Sequence, residues 1–119
     1  MANTVTKEIS YDELKALVGK SQNLILVDVR SKEEVESGHV PGSINIPLET
    51  VEAALTMNPD EFKAKYGVTK PQLDAPELVF LCRVGRRGGI ATAKAHQLGY
   101  VNARNYTGGY TEWSKKEGK

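Results

Sequence analysis

Short apolar runs alternate with amphipathic helical patterns along the whole chain of 119 residues. The most strand-like runs are LILVDV at residues 24–29 and ELVFL at residues 77–81, and further candidates are SINI at 43–46 and VNARNY at 101–106. Apolar runs of this length, without polar alternation, indicate strands that are buried on both faces. Strands separated by helices form parallel sheets, because each helix returns the chain to the same end of the sheet. We therefore expect an α/β fold with a central parallel sheet of about five strands and helices on both faces.

Helix boundaries are marked by capping residues. Ser10 and Ser31 are each followed three positions later by a glutamate, which is the capping-box pattern at a helix start. Asn58 precedes Pro59 at another helix start, and Gly67 follows as a C-terminal stop. Helices are therefore expected after these caps, and others are expected over residues 47–57, 90–98 and 109–117.

The overall composition argues against several classes of protein. Apolar residues make up 39% of the chain and charged residues 26%, and the formal net charge is +1. This balance predicts no nucleic-acid partner and no membrane partner, and no apolar run reaches the length of a membrane span. We expect one domain over residues 1–119, with its core over residues 10–113.

The presence of a single cysteine argues against an internal disulfide and against a structural metal site. One cysteine cannot form an internal disulfide, and the sequence starts without a secretion pattern, so we predict a cytoplasmic location. Cys82 and the two histidines, His39 and His96, do not have metal-ligand spacing. We therefore expect no metal.

Cys82 comes directly after the ELVFL run, and three arginines follow within five residues. In parallel α/β sheets, ligands bind at the carboxyl ends of the strands. A tight strand-to-helix loop, in which Gly85 is able to adopt a positive φ, turns backbone N–H groups toward one point, and the next helix adds its positive N-terminal dipole. Both effects favour the reactive thiolate, so we predict that Cys82 is a nucleophile. The predicted anion-binding residues of this six-residue segment are Arg83, Val84, Gly85, Arg86 and Arg87.

The alternative is that Cys82 is a small core residue with basic neighbours. A lone cysteine is most often a buried hydrophobic side chain. The position of Cys82 at a strand end, before a glycine, three arginines and a helical pattern, favours the functional interpretation.

Four segments of the sequence resemble the rhodanese, or thiosulfate sulfurtransferase, domain family. They are DVR at residues 28–30, GHVPG at 38–42, the Cys82 segment, and GGYTEW at 108–113. The resemblance covers the chain from about residue 10 to residue 113, in the family's order, and is strongest to its single-domain members. Two positions depart from the pattern, since Gly88 stands where serine or threonine is frequent and Val35 where an aromatic residue is frequent.

The resemblance implies a sulfur-transfer mechanism through Cys82. The thiolate would take the outer sulfur of a donor such as thiosulfate and become a persulfide. A thiophilic acceptor would then remove that sulfur, and the candidates are cyanide, sulfite, glutathione and a protein thiol such as thioredoxin. No cofactor is implied. Within the segment, we expect Arg83 and Arg86 to meet the donor and Arg87 to anchor the loop to the domain.

Other polar residues receive structural interpretations. Asp28 and Arg30 are expected to support the loop, with Arg30 paired to Glu34 as the family resemblance implies. His39 invites a role as a general base, but sulfur transfer to a thiolate needs none, so we reject it. His96 is expected to be solvated in mid-helix, and Trp113 is expected to be a core or rim aromatic.

Two alternative functions remain open at the level of the sequence. A cysteine phosphatase or arsenate reductase uses a related anion loop, but it needs an arginine at position 88, where this chain has glycine. A persulfide carrier without catalytic turnover, or a binding module of the same fold, would retain the same motifs.

Overall fold

Five parallel strands form one sheet in the computed structural model, which describes residues 8–20, 24–40, 42–75, 77–84 and 86–117. The strands follow the order β1-β5-β4-β2-β3, and each neighbouring pair is parallel. This arrangement confirms the expected sheet. The strands are β1 (Glu8–Ile9), β2 (Ile25–Asp28), β3 (Ile44–Asn45), β4 (Leu78–Leu81) and β5 (Arg104–Tyr106).

Six helices accompany these strands in the described part of the chain. The capping predictions hold, since Ser31 forms a complete capping box with Glu34 and the side chain of Asn58 accepts from the Glu61 N–H. Gly67 ends its helix in the left-handed conformation, with φ of 77°. The helices are α1 (Tyr11–Lys20), α2 (Lys32–Glu36), α3 (Leu48–Thr56), α4 (Pro59–Tyr66), α5 (Arg86–Gln97) and α6 (Gly109–Glu117).

The sheet is covered on both faces, as the alternation of strands and helices predicts. Successive residues of a strand point to opposite faces, so β4 contributes alternately to two apolar clusters. One cluster joins Phe80 and Cys82 to buried side chains of α3, α4 and α5. The other joins Leu81 to Leu14 of α1 and Trp113 of α6. Trp113 is therefore a core aromatic, as expected.

Three elements differ from the predictions. Strand β5 begins at Arg104 and not at residue 101, because residues 101 and 102 form a turn. The two-residue strand β1, which pairs with β5, was not expected, because two residues are too short to show periodicity. Helix α5 begins at Arg86 rather than near residue 90. Its first turn contains Gly88 and Gly89, and glycine has a low helix propensity. The turn is nevertheless helical because it packs closely against Asn105 of β5.

The turn predicted at residues 39–42 is described in part, since Pro41 lies outside the described residues. The Ser43 N–H donates to the Val40 carbonyl, and Gly42 has a φ of 85°. Within the ranges described above, no helix is long and apolar enough to cross a membrane.

Candidate active site

Cys82 is the first residue after β4, at the carboxyl end of the sheet. The adjacent strand β2 ends at Asp28, which lies opposite Leu81 in the parallel register. The two strand ends that the sequence singles out are therefore neighbours. Cys82 is 1% exposed and packs in the apolar cluster on the α5 side of the sheet.

The backbone after Cys82 is held by the start of helix α6. The Tyr110 N–H donates to the Cys82 carbonyl at 2.7 Å, and the Thr111 N–H donates to the Arg83 carbonyl at 3.0 Å. The C=O and N–H of a trans peptide point in opposite directions, so the N–H groups of Arg83 and Val84 point away from α6. They face the side of the loop opposite α6, where a backbone anion cradle would bind its anion.

Gly109 makes that contact sterically feasible. Its φ is 64°, and a Cβ atom at this position would lie 2.4 Å from the Arg83 carbonyl oxygen and 2.7 Å from the Cys82 carbonyl oxygen. A side chain would therefore push α6 off the loop. The GGYTEW segment therefore places this glycine directly against the Cys82 segment.

The segment that follows Cys82 is a short loop and the first turn of α5, not a six-residue loop. Because α5 begins at Arg86, both Arg86 and Arg87 belong to the helix. The N–H groups at this helix terminus and the helix dipole supply positive potential at the same end of the sheet as Cys82. Gly85 lies outside the described residues, so its predicted positive φ stays a prediction.

Arg87 joins the start of α5 to α2. Its Nη1 donates to Glu34 Oε1 at 2.9 Å and its Nη2 donates to Glu34 Oε2 at 3.1 Å. The Arg87 hydrogen bond, together with the Ser31 N–H, lowers the pKa of the Glu34 carboxyl to about 2. The structure thus contains the anchoring contact expected for Arg87.

Negative charge around Arg87 raises the pKa of its guanidinium group. The hydrogen bond that Arg87 donates to Glu34 is the main cause that raises the pKa of the Arg87 guanidinium, and charges at Cys82 and Asp28 raise it further. The interaction with Cys82 places the Arg87 guanidinium near the predicted nucleophile.

The expected pairing of Arg30 with Glu34 is wrong, because Arg30 pairs with Asp28 instead. Arg30 Nη2 lies 2.7 Å from Asp28 Oδ2, and Nε donates to the same carboxylate. Both side chains are almost fully buried, with exposed fractions of 5% and 0%. The two residues are two positions apart and face each other where the chain turns out of β2. Glu34 is left for Arg87, which approaches from α5.

This buried pair supports the turn beside the loop. Arg30 Nη2 also donates to the Gly38 carbonyl at 2.7 Å, and its guanidinium lies 4.3 Å from the centre of the Tyr110 ring. Asn45 Nδ2 donates to the carbonyls of both Asp28 and Arg30. The Tyr110 ring contacts Arg30, and the Tyr110 N–H binds the Cys82 carbonyl. Tyr110 therefore connects the buried ion pair to the loop. Sequence reasoning missed Asn45, although an asparagine within the SINI strand pattern was the available signal.

The remaining predicted anion-binding side chains are at the surface. Arg83, Val84 and Arg86 are exposed, and Val84 has an exposed fraction of 63%. Arg83 lines a surface cavity that α2 and α6 also border. The structure therefore places two cations around the outside of the loop and Arg87 in its scaffold.

Asn105 is a second residue that sequence reasoning missed. It lies on β5 with an exposed fraction of 4%, and a Cβ atom at position 88 would lie 2.3 Å from its Oδ1. The glycine at position 88, where the family frequently has a hydroxyl residue, therefore accommodates the Asn105 side chain. A polar residue in a buried strand was the signal that pointed to it.

The two histidines lie outside this arrangement. His39 is exposed, and its Nδ1 lies 3.3 Å from the Val35 carbonyl. His96 is half-buried, and its Nε2 lies 2.8 Å from the Ala103 carbonyl, so the prediction of a solvated side chain is wrong. Because a carbonyl only accepts, Nε2 carries the hydrogen. The turn between α5 and β5 folds back on the helix and brings this carbonyl to the ring.

Comparison with known proteins gives one family. The family profile described as Rhodanese-like domain matches residues 10–116. The human protein named thiosulfate:glutathione sulfurtransferase is 48% identical over 109 residues, which cover 92% of this chain and 94% of the human protein. A protein of the same name from Saccharomyces cerevisiae is 40% identical, with 87% of this chain and 75% of the yeast protein covered.

Solved structures agree with these sequence matches. The structure of the human single-domain sulfurtransferase TSTD1 superposes with a TM-score of 0.89 at 46% identity and covers 93% of this chain and 97% of that one. The Saccharomyces cerevisiae single-domain sulfurtransferase RDL2 has a TM-score of 0.84 at 35% identity, with coverage of 99% and 96%. The resemblance to single-domain members is thus confirmed over nearly the whole chain.

Proposed function

The chain belongs to the rhodanese-like domain family and is a sulfurtransferase, and we propose that Cys82 carries the transferred sulfur as a persulfide. The donor is thiosulfate or a similar sulfane-sulfur compound, and the acceptor is a small thiol. The relatives named thiosulfate:glutathione sulfurtransferase support this pair of substrates.

One observation carries the proposal, which is the fixed orientation of the backbone at Cys82. Helix α6 binds the carbonyls of Cys82 and Arg83, and α5 starts a few residues further on. Preorganised N–H groups stabilise developing negative charge without reorganising during the reaction. Arg87 adds a permanent positive charge whose position is secured by Glu34.

The first half-reaction transfers sulfur to the enzyme. The Cys82 thiolate attacks the outer sulfur of thiosulfate, the S–S bond of the donor breaks, and sulfite leaves with the bonding electron pair. The product is the Cys82 persulfide anion, and no net redox change or proton transfer is needed. In this proposal the N–H groups of the loop stabilise the terminal sulfur of that persulfide.

The second half-reaction regenerates Cys82. The thiolate of the acceptor attacks the terminal sulfur, the bond to Cys82 Sγ breaks, and the acceptor leaves as its own persulfide. With cyanide the same step gives thiocyanate. We also propose a protein thiol such as thioredoxin as an acceptor, which is checked by loss of the persulfide mass on adding the reduced protein.

The residues of the segment have separate roles in this proposal. Arg83 and Arg86 attract and hold the anionic donor at the mouth of the site, and the backbone of Val84 contributes to the cradle. Gly85 lies outside the described residues, and its part in the cradle stays a prediction. Arg87 sits at the rim of the cradle and fixes it to α2. Asp28 and Arg30 support the adjoining turn and do not touch the substrate.

The phosphatase alternative fits the structure poorly. The arginine that such an enzyme needs would stand at position 88, which is buried and where an added Cβ atom would lie 2.3 Å from Asn105 Oδ1. Sulfur transfer therefore remains the function that the geometry supports best.

The decisive experiment is an intact mass spectrum before and after exposure to thiosulfate. The wild-type mass should increase by one sulfur atom, and cyanide should reverse the increase. Cys82→Ser should show neither change and should have no turnover. Turnover by the serine variant would disprove the proposed nucleophile. Stoichiometric sulfur loading without multiple turnovers would favour a persulfide carrier instead.

We further propose that residues 1–119 form a single rhodanese domain and that it acts in the cytoplasm. The family match over residues 10–116 supports the first statement, and the single cysteine supports the second. Some relatives are named as mitochondrial proteins, so fluorescence microscopy of the tagged full chain is the appropriate test of location.

A further inference from the structure

The reactive loop provides the hydrogen-bond acceptors for the first turn of helix α6. Gly108 precedes the helix and has no side chain, so it cannot cap the first turn as a serine or an aspartate at this position would. The Tyr110 N–H donates to the Cys82 carbonyl instead. The Thr111 N–H donates to the Arg83 carbonyl. The position of the loop therefore depends on the position of this turn.

A hydrogen bond between Tyr106 and Glu112 joins that first turn to the sheet. Tyr106 is the last residue of β5, and its hydroxyl donates to Glu112 Oε1 at 2.7 Å. The Glu112 N–H donates to the Gly108 carbonyl, so this residue belongs to the turn that carries the Tyr110 and Thr111 N–H groups. Within the described ranges of the chain, Tyr106 is the only side chain that hydrogen-bonds to the Glu112 carboxylate.

The Tyr106 side chain is a fixed support for this bond. The residue is fully buried and packs in the cluster that contains Leu81 of β4 and Trp113 of α6. Burial, together with the hydrogen bond to Glu112, raises the pKa of the Tyr106 hydroxyl, so the hydroxyl stays protonated and remains a donor. Because the core holds the ring, the hydroxyl defines where the carboxylate lies.

The glycine at position 108 leaves room for this contact. The Glu112 side chain folds back over Gly108, and an added Cβ atom there would lie 2.6 Å from Glu112 Cδ. A larger residue would therefore displace the carboxylate from the Tyr106 hydroxyl. The three residues form one unit between the end of β5 and the start of α6.

We propose that Tyr106 and Glu112 are positioning residues for sulfur transfer, because they hold α6 where its N–H groups set the orientation of the Cys82 loop. The proposal rests on the Cys82 persulfide proposed above, and neither side chain contacts the donor in it. The carbonyl and the N–H of a peptide are coplanar, so a shift of α6 also turns the N–H groups on the far side of the loop. Such a misplacement slows the chemical step more than it weakens binding.

Tyr100 provides a matched control for Tyr106. It is also buried, and its hydroxyl donates one hydrogen bond, to the Pro71 carbonyl at 3.0 Å. Tyr100 lies between α5 and β5, at the amino end of the sheet and thus opposite Cys82. Tyr106→Phe and Tyr100→Phe each remove one buried hydroxyl and one hydrogen bond, and only the first removes a contact of α6.

The experiment measures the single-turnover rate of persulfide formation by intact mass without an acceptor, the half-saturating concentration of thiosulfate, and the melting temperature. Both phenylalanine variants should melt roughly 3–6 °C below wild type. Tyr106→Phe should form the persulfide roughly tenfold more slowly at saturating thiosulfate, with the half-saturating concentration changed by less than about twofold. Tyr100→Phe should leave both kinetic values within about twofold of wild type.

Two substitutions of Glu112 separate its hydrogen bond from its charge. Glu112→Gln and Glu112→Ala both remove the charge, but glutamine keeps an oxygen that accepts from the Tyr106 hydroxyl. Glu112→Gln should therefore form the persulfide nearly as fast as wild type, whereas Glu112→Ala should be as slow as Tyr106→Phe. Because Glu112 is only partly buried, these two variants decide the question even if Tyr106→Phe does not fold.

Three results would overturn the positioning role. They are a wild-type rate in Tyr106→Phe or in Glu112→Ala, an equally slow rate in Tyr100→Phe, and an equally slow rate in Glu112→Gln. Wild-type protein that forms no persulfide would refute the function of Cys82 itself. Normal loading of wild type together with any of the three results would refute the positioning role alone.

Discussion

Arg87 and Glu34 form a two-point ion pair, with N–O distances of 2.9 and 3.1 Å, that ties the first turn of α5 to α2. The residues are 53 positions apart in the chain. The pair therefore joins two distant segments, α2 and α5, and both border the reactive loop. Both side chains are about one-third exposed, which makes the pair accessible to water and salt.

Arg87→Ala should lower stability and kcat together. Loss of a partly exposed pair of this geometry costs about 1 kcal/mol, and the helix start beside Cys82 is then no longer fixed to α2. Arg87→Lys keeps the charge and loses the two-point contact, so it should recover only part of kcat. Urea denaturation and steady-state kinetics measure the two effects. If Arg87→Ala raised only KM for thiosulfate, Arg87 would be a donor-binding residue instead of an anchor.

The Glu34 carboxylate should stabilise the folded protein at neutral pH and lose this effect in acid. Its pKa is about 2 in the folded protein and is lowered from an ordinary value of 4.5. The unfolded chain thus binds the proton more tightly, so the stabilisation is present above about pH 4.5 and is lost as the pH falls toward about 2. Wild type should be about 1 kcal/mol more stable than Glu34→Gln at neutral pH, after allowing for solvent screening.

Denaturation of wild type and Glu34→Gln between about pH 6 and pH 2.5 tests this dependence. The difference in unfolding free energy should shrink as the pH falls. A constant difference would mean that Glu34 acts by shape and neutral hydrogen bonding instead of by its charge.

Gly109→Ala should disturb the reactive loop more than an equivalent change elsewhere. Its φ of 64° costs an alanine about 1 kcal/mol, and the collision with the Arg83 carbonyl adds roughly 1–3 kcal/mol. Gly67→Ala is the control, because Gly67 has a φ of 77° and nothing lies within 4 Å of the added Cβ atom. Only Gly109→Ala should also reduce kcat. Equal losses of stability, with kcat intact in both, would contradict the role of Gly109 in seating α6 on the loop.

Much of the fold was predictable because its determinants are local. The apolar runs of β2 and β4 and the caps at Ser31 and Asn58 each act within a few residues, and the structure confirms them. The start of α5 was not predictable in this way. Two glycines hide the helix pattern, and the packing that permits them comes from β5, at the other side of the turn.

The nucleophile of the candidate site was predictable from the sequence, but the ion pairs around it were less so. Cys82 at the carboxyl end of β4 follows from the order of elements along the chain. The partner of Glu34 does not follow from that order. Arg30 is the nearer arginine in the chain, but the three-dimensional arrangement assigns Arg30 to Asp28 and Arg87 to Glu34. The contact of Asn105 with position 88 likewise depends on how β5 and α5 meet.

That contact distinguishes two adjacent glycines of α5. Replacing glycine by alanine within a helix gains about 0.5–1 kcal/mol in propensity. At Gly89 the new Cβ atom would meet only Asn105 Nδ2 at 3.4 Å, so Gly89→Ala should be neutral or stabilising. At Gly88 it would lie 2.3 Å from Asn105 Oδ1, so Gly88→Ala should be destabilising. Thermal denaturation compares the two variants, and equal behaviour would show that Asn105 moves aside without cost.

The exposed arginines should act on substrate binding and not on the chemical step. Arg83 and Arg86 are at the surface around the loop, where a charge-assisted contact to a dianion is screened to about 1 kcal/mol. This corresponds to a rise of about fivefold in KM for thiosulfate in Arg83→Ala or Arg86→Ala, with kcat nearly unchanged. The rise should diminish as ionic strength increases, because salt screens exposed charges.

Donor binding by the arginine side chains is separable from donor binding by the backbone of the loop. Steady-state kinetics with each substrate varied in turn, at low and high salt, separates these effects. If neither variant changed KM for thiosulfate, and wild-type turnover were indifferent to salt, the N–H groups of the loop and α5 would bind the donor without help from the side chains.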